Sequence, residues 1–164
     1  MCIPAAAAAY LEMHRLVGII CIPSAAAEYL QLLGSCSLYR MAAYVRDGYG
    51  AFRQPKFECD CCEMLVFRVC GVRQNLYVYS LYHNPDLDDR NFDCLLASMA
   101  AVHAEDVRAS FLFVGDLNGH HQEWLCSTTT NCHGVATFDF ATVSGCDQVV
   151  VGPTQARGGT LMTS

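Results

Sequence analysis

The sequence predicts an α/β sandwich with mixed sheets, and three observations carry that expectation. Apolar strand-like runs and helical stripes alternate from Met41 onward, as layered α/β folds require. Two of those runs, Met64–Cys70 and Leu76–Tyr82, are separated only by the short Gly71–Asn75 link, so they read as an antiparallel hairpin. The hairpin excludes a purely parallel sheet. The run Phe111, Leu112, Phe113, Val114 has no polar alternation, which marks a strand buried on both faces.

The elements follow in order. Residues 1–40 form an Ala-rich, apolar N-terminal segment, with Ala5–Ala9 and Ala25–Ala27 as near-repeats. Tyr10, Leu11, Met13, Leu16 and Val17 fit one helix face. Tyr29, Leu30, Leu32 and Leu33 fit part of a second helix that Gly34 would end. Met41–Arg46 reads as a strand and Asp47–Gly48 as the turn after it. After the hairpin, Asp86, Asp88 and Asp89 are acidic residues suited to a helix start, where the dipole favours negative charge. Phe92, Leu95, Leu96, Met99 and Val102 continue as a helical stripe. Ser110–Gly115 is the next strand and Val135–Thr142 the next helix. A short strand, Gln148–Val151, closes at Gly152–Pro153.

Composition narrows the function classes. A hydrophobic fraction of 53% and a charged fraction of 16% suit a folded core and exclude a disordered chain. The net charge of −6 supplies no global basic field. The apolar stretch Leu16–Ala27 is too short to span a bilayer, and Met1–Ala9 lacks the basic start of a secretory signal. The expectation is an intracellular protein with no membrane segment. Eleven cysteines, an odd number without an export signal, predict reduced thiols. Cys59-Asp60-Cys61-Cys62 invites a zinc reading. Cys126 and Cys132-His133 do not repeat the ligand spacing, which favours ordinary thiols.

Chemistry concentrates where strands end. Gly115-Asp116-Leu117-Asn118 stops the most apolar run. Side chains two apart on a strand point the same way, so Asp116 and Asn118 can face one pocket. An acid and an amide there suit a hard cation and a phosphate oxygen. The same four residues also make a good turn. Tyr82-His83-Asn84-Pro85 ends the preceding strand, and a strand-end tyrosine alone also reads as a core cap with its hydroxyl in water.

The ordered set is more specific. A strand ending in Tyr-x-Asn-Pro, an acidic-start helix and a strand ending in Gly-Asp-x-Asn resemble the endonuclease/exonuclease/phosphatase superfamily. Gly115 to Trp124, Ser127 to Asn131, His133-Gly134-Val135, Phe138-Asp139-Phe140 and Gly158-Gly159-Thr160 extend the likeness. Together they resemble the endonuclease domain of LINE-type non-LTR retrotransposons. The resemblance spans about Met41 to Thr163, which makes residues 41–164 a partial, C-terminally truncated domain after a segment that is not family-like.

That resemblance implies an incomplete four-layered, DNase I-like α/β sandwich that hydrolyses phosphodiesters of DNA with Mg²⁺, in the nucleus, with no small-molecule cofactor. It implies Tyr82, Asp116 and Asn118 as catalytic residues: a phosphate-contacting tyrosine, an acid that orients or activates water, and an amide holding the phosphate or that water. Asn84 lines the same pocket in this reading, with His120 and His121 as secondary substrate contacts. The family's metal-binding Glu, late Asp and catalytic His have no identified counterpart in the sequence. The expected state is therefore an inactive fragment. The alternatives are a non-catalytic nucleic-acid or protein interaction remnant, or a Cys-rich metal-binding protein.

Overall fold

A computed structural model describes residues 17–19, 30–36, 41–46, 50–59, 63–71, 74–83, 91–124 and 127–148. Among these residues, seven strands, two α-helices and a 3₁₀ turn are ordered as β1 (Val17–Ile19), β2 (Leu30–Cys36), β3 (Met41–Arg46), β4 (Ala51–Arg53), the turn Pro55–Phe57, β5 (Glu63–Val69), β6 (Leu76–Tyr82), α1 (Asn91–Glu105), β7 (Ser110–Asp116) and α2 (Cys132–Ser144). They build two sheets. One runs β1-β3-β2 and the other β4-β5-β6-β7.

The four-stranded sheet is mixed, as the hairpin and the alternation require. β4, β5 and β6 pair antiparallel, while β6 and β7 pair parallel with α1 as the crossover between them. One face carries Met64, Val66, Tyr77, Tyr79 and Leu81. It packs against Phe92, Leu95, Met99 and Val102 of α1 and Phe140 of α2. Those four residues of α1 recur at helical spacing, so the stripe read from the sequence is the buried stripe. The other face buries Leu65, Phe67 and Val78. There the backbone of β2 approaches β4 and β5, and that of β3 approaches β6. The described residues thus make three layers: helices, four-stranded sheet and three-stranded sheet.

The N-terminal stretch departs from expectation. Leu30–Cys36 is a strand, paired with β3 and irregular between Leu32 and Gly34, where a helix ending at Gly34 was predicted. Val17, assigned to a helix face, also lies in a strand. A short apolar run carries no periodicity that separates the two states, and pairing with Met41–Arg46 decides. The sequence also gave no sign of β4 or of the Pro55–Phe57 turn. The predicted turn at Asp47–Gly48, the acidic helix start at residues 86–89 and the strand ending at Val151 lie outside the described residues.

Polar links fix the helix layer to the sheet. Ser98 Oγ donates to the Phe57 carbonyl (2.6 Å) and meets the Tyr79 hydroxyl (2.9 Å) inside the core. Burial pushes the Tyr79 hydroxyl pKa up, against the pull of that hydrogen bond. Glu58 takes a two-pronged bond from Arg53 and accepts from the Val66 amide, which locks the turn onto β5. Lys56 bridges to Glu105 at the end of α1.

Cys59 and Cys94 are disulfide-bonded, whereas Cys70, Cys132 and Cys146 are free thiols. The prediction of uniformly reduced cysteines is corrected at those two positions. Both lie at the rim of the core, where packing decides proximity and sequence spacing does not.

Candidate active site at the end of the central strands

The parallel register of β6 and β7 sets Tyr82 directly beside Asp116. The antiparallel register of β5 and β6 sets Glu63 on the other side of Tyr82. One row across three strands therefore holds a carboxylate, a phenol and a carboxylate, at strand spacings of about 5 Å. Tyr82 is 38% exposed, so its ring is open to a ligand. Glu63 is only 8% exposed, and its Oε2 has no hydrogen-bond partner among the described residues. Burial raises the Glu63 pKa above its ordinary value. A cleft of about 20 Å³, wide enough for a water, lies between Glu63, Tyr82 and His83 and the apolar Phe92, Leu95 and Leu117.

Beyond Tyr82 and Asp116 the two strand ends are tied together. The His83 amide donates to the Asp116 carbonyl at 2.8 Å. The His83 carbonyl accepts from Asn118 Nδ2, also at 2.8 Å. Asp116 Oδ1 accepts from the Asn118 amide at 3.0 Å, which closes an Asx-type turn. Asn118 pays for that turn with a left-handed backbone, φ 47°. The turn and pocket readings of Gly-Asp-x-Asn are therefore compatible: the turn exists, and it brings the acid and the amide to one place. Gly115 enables the approach. Its φ is 142°, and a Cβ there would stand 1.8 Å from the Leu81 carbonyl oxygen.

The remaining candidates fall as follows. Asn84 lies outside the described residues. His120 joins the site through its backbone, its amide donating to Asn131 Oδ1 and its carbonyl accepting from the Asn131 amide. The His121 ring stacks on Phe138 at 4.8 Å, and its Nδ1 accepts from the Trp124 amide. That geometry gives the ring a part in holding the loop. Sequence reasoning passed over Glu63 and Asn131. An acid opening an apolar strand, and an Asn one residue before a helix, are the signals that point to them.

A Mg²⁺ ion needs oxygen donors and is commonly held by one or two carboxylates with water and phosphate. Asp116, and Glu63 with its orphaned oxygen, have the right chemistry. Among the described residues no group of three or more His, Cys, Asp or Glu side chains is placed to hold a metal ion. No helix among them is long and apolar enough to cross a membrane.

This architecture is an α/β domain built on a mixed four-stranded sheet. The chain superposes on the endonuclease domain of TRAS1, a telomere-specific non-LTR retrotransposon, with a TM-score of 0.60. The match is 16% identical and covers 95% of this chain and 73% of that one. At that identity the likeness establishes a shared fold. No protein-family model and no curated protein matches the sequence.

Proposed function

We propose that this chain carries a retrotransposon-derived phosphodiesterase centre of the DNA endonuclease type, built at the ends of β6 and β7. The complete fold in this reading is the four-layered sandwich. The observation that carries the proposal is the side-by-side placement of Tyr82 and Asp116, with Asn118 bridging the two strand ends. Hydrolysis of a phosphodiester needs a positioned nucleophile and neutralised phosphate oxygens. Asp116 has the reach to orient a water and take its proton. The exposed Tyr82 hydroxyl is a donor for a phosphate oxygen. Asn118 spends one amide N–H on His83, and the second is available to the phosphate. Mg²⁺, held by Asp116 and Glu63 oxygens, would supply charge neutralisation there.

Turnover is expected to be feeble in the 164-residue chain. The net charge of −6 works against DNA association, because phosphate contacts dominate affinity. The test is nicking of supercoiled plasmid at high protein concentration, with Mg²⁺ or with EDTA. Slow Mg²⁺-dependent nicking that Asp116→Ala abolishes is the expected result. Nicking that survives Asp116→Ala sinks the assignment. DNA binding without nicking at any concentration hands the site to the non-catalytic reading.

A further inference from the structure

We propose that Asn131 is a positioning residue of this centre, setting where Asn118 and Asp116 present their side chains; the inference rests on the phosphodiesterase reading. Asn131 is the N-cap of α2, and its Oδ1 accepts from the Gly134 amide at 2.7 Å. A cap needs no more than that acceptor. Asn131 does more. The same Oδ1 accepts from the His120 amide at 2.9 Å, and Nδ2 donates to the Asn118 carbonyl at 2.9 Å. Its backbone amide donates to the His120 carbonyl at 3.0 Å. One side chain therefore grips both ends of the 118–120 loop while it starts the helix.

The loop needs that grip. Asn118 sits at φ 47°, a conformation that costs a non-glycine residue energy unless its surroundings hold it. Its two other bonds tie its backbone amide to Asp116 Oδ1 and its side-chain Nδ2 to the His83 carbonyl, so the backbone at Asn118 sets where both the acid and the side-chain amide lie. Through the carbonyl of Asn118, the start of α2 holds that arrangement directly. Gly134 allows the contact, since a Cβ there would lie 1.9 Å from the His120 carbonyl oxygen. A helix cap alone calls for no such closeness.

Two variants separate capping from positioning. Asn131→Asp keeps acceptors for the Gly134 and His120 amides but replaces the donor to Asn118 with an oxygen. Asn131→Ser still caps a helix but is too short to reach the loop. The first readout is amide hydrogen exchange by NMR on the 164-residue chain. Asn131→Asp is expected to cut protection at the Asn118 amide at least tenfold and leave His120 protected. Asn131→Ser is expected to release both, with the α2 amides still protected in each variant. The second readout is Mg²⁺-dependent plasmid nicking, where kcat should fall at least tenfold in Asn131→Asp with KM for DNA within about twofold. Unchanged Asn118 and His120 exchange in both variants overturns the proposal and leaves Asn131 a cap. Changed exchange with KM and kcat untouched overturns its role at the site. If the unsubstituted chain neither binds nor nicks DNA, the phosphodiesterase reading fails, and the exchange data still decide whether Asn131 holds the loop.

Discussion

α1 and α2 cover the same face of the four-stranded sheet, yet they are held there by different forces. α1 buries Phe92, Leu95, Met99 and Val102, a stripe in which each large side chain removed from water contributes about 2 kcal/mol. α2 buries His133, Gly134, Thr137, Phe140 and Ala141, a set with one large apolar member. Its attachment is polar and local: the Asn131 cap, the Gly134 contact and the Thr137 hydroxyl bonded to the His133 carbonyl at 2.7 Å. The difference divides labour. α1 supplies cohesion to the whole domain, and α2 supplies geometry to one loop.

The comparison breaks most visibly if α1 is weakened. Leu95→Ala should cost about 3 kcal/mol by loss of buried surface and the cavity left behind. Urea unfolding followed at Trp124 and by far-ultraviolet circular dichroism should shift together, since the core serves every element. A shift confined to α1 would contradict its role. A smaller effect is expected from Gly134→Ala, about 2 kcal/mol, because the added methyl collides with the His120 backbone. Here the sharper reading is local: exchange at residues 118–121 should rise by more than global unfolding explains. Equal acceleration across the sheet would merge the two helices into one class.

The smallest effect concerns pH. Burial raises the Glu63 pKa in the folded state above its ordinary value of 4.5. The folded chain therefore holds that proton to higher pH than the unfolded chain does. Stability from this group is complete below the unfolded pKa and is lost as pH rises through the folded one. Glu63→Gln should flatten that decline, measured as the urea midpoint across the acid-to-neutral range. A decline unchanged in Glu63→Gln would place the proton elsewhere.

β5, β6 and β7 of the four-stranded sheet were legible because their apolar runs are long and the hairpin link is short, whereas the three-residue β4 was not. Met41–Arg46, the hairpin strands, Ser110–Asp116 and both helices fall where periodicity puts them, to within a few residues at their ends. Leu30–Cys36 was misread because its Leu-rich start beside an Ala-rich run satisfies a helix as well as a strand, with Gly34 reading as the helix end. Tyr82, Asp116 and Asn118 were legible as a motif, and their adjacency follows once β6 and β7 pair in parallel. Glu63 and Asn131 were not, since register and loop closure bring them to the site, and their local signals, a strand-opening acid and a helix-capping Asn, carry no hint of that placement. The disulfide state of Cys59 and Cys94 escaped for the same reason.

The parallel pairing of β6 with β7 has a consequence in time. His83 and Asn118 are 35 residues apart in sequence, and α1 lies between the strands they follow. Loop closure over that distance is paid before the contact rewards it. A chain emerging from the ribosome can form the β5–β6 hairpin early, but Tyr82 then stands without Asp116. The centre assembles only after β7 has been synthesised, released from the exit tunnel and docked. A half-made chain therefore carries Tyr82 without the Asp116 that stands beside it in the finished fold.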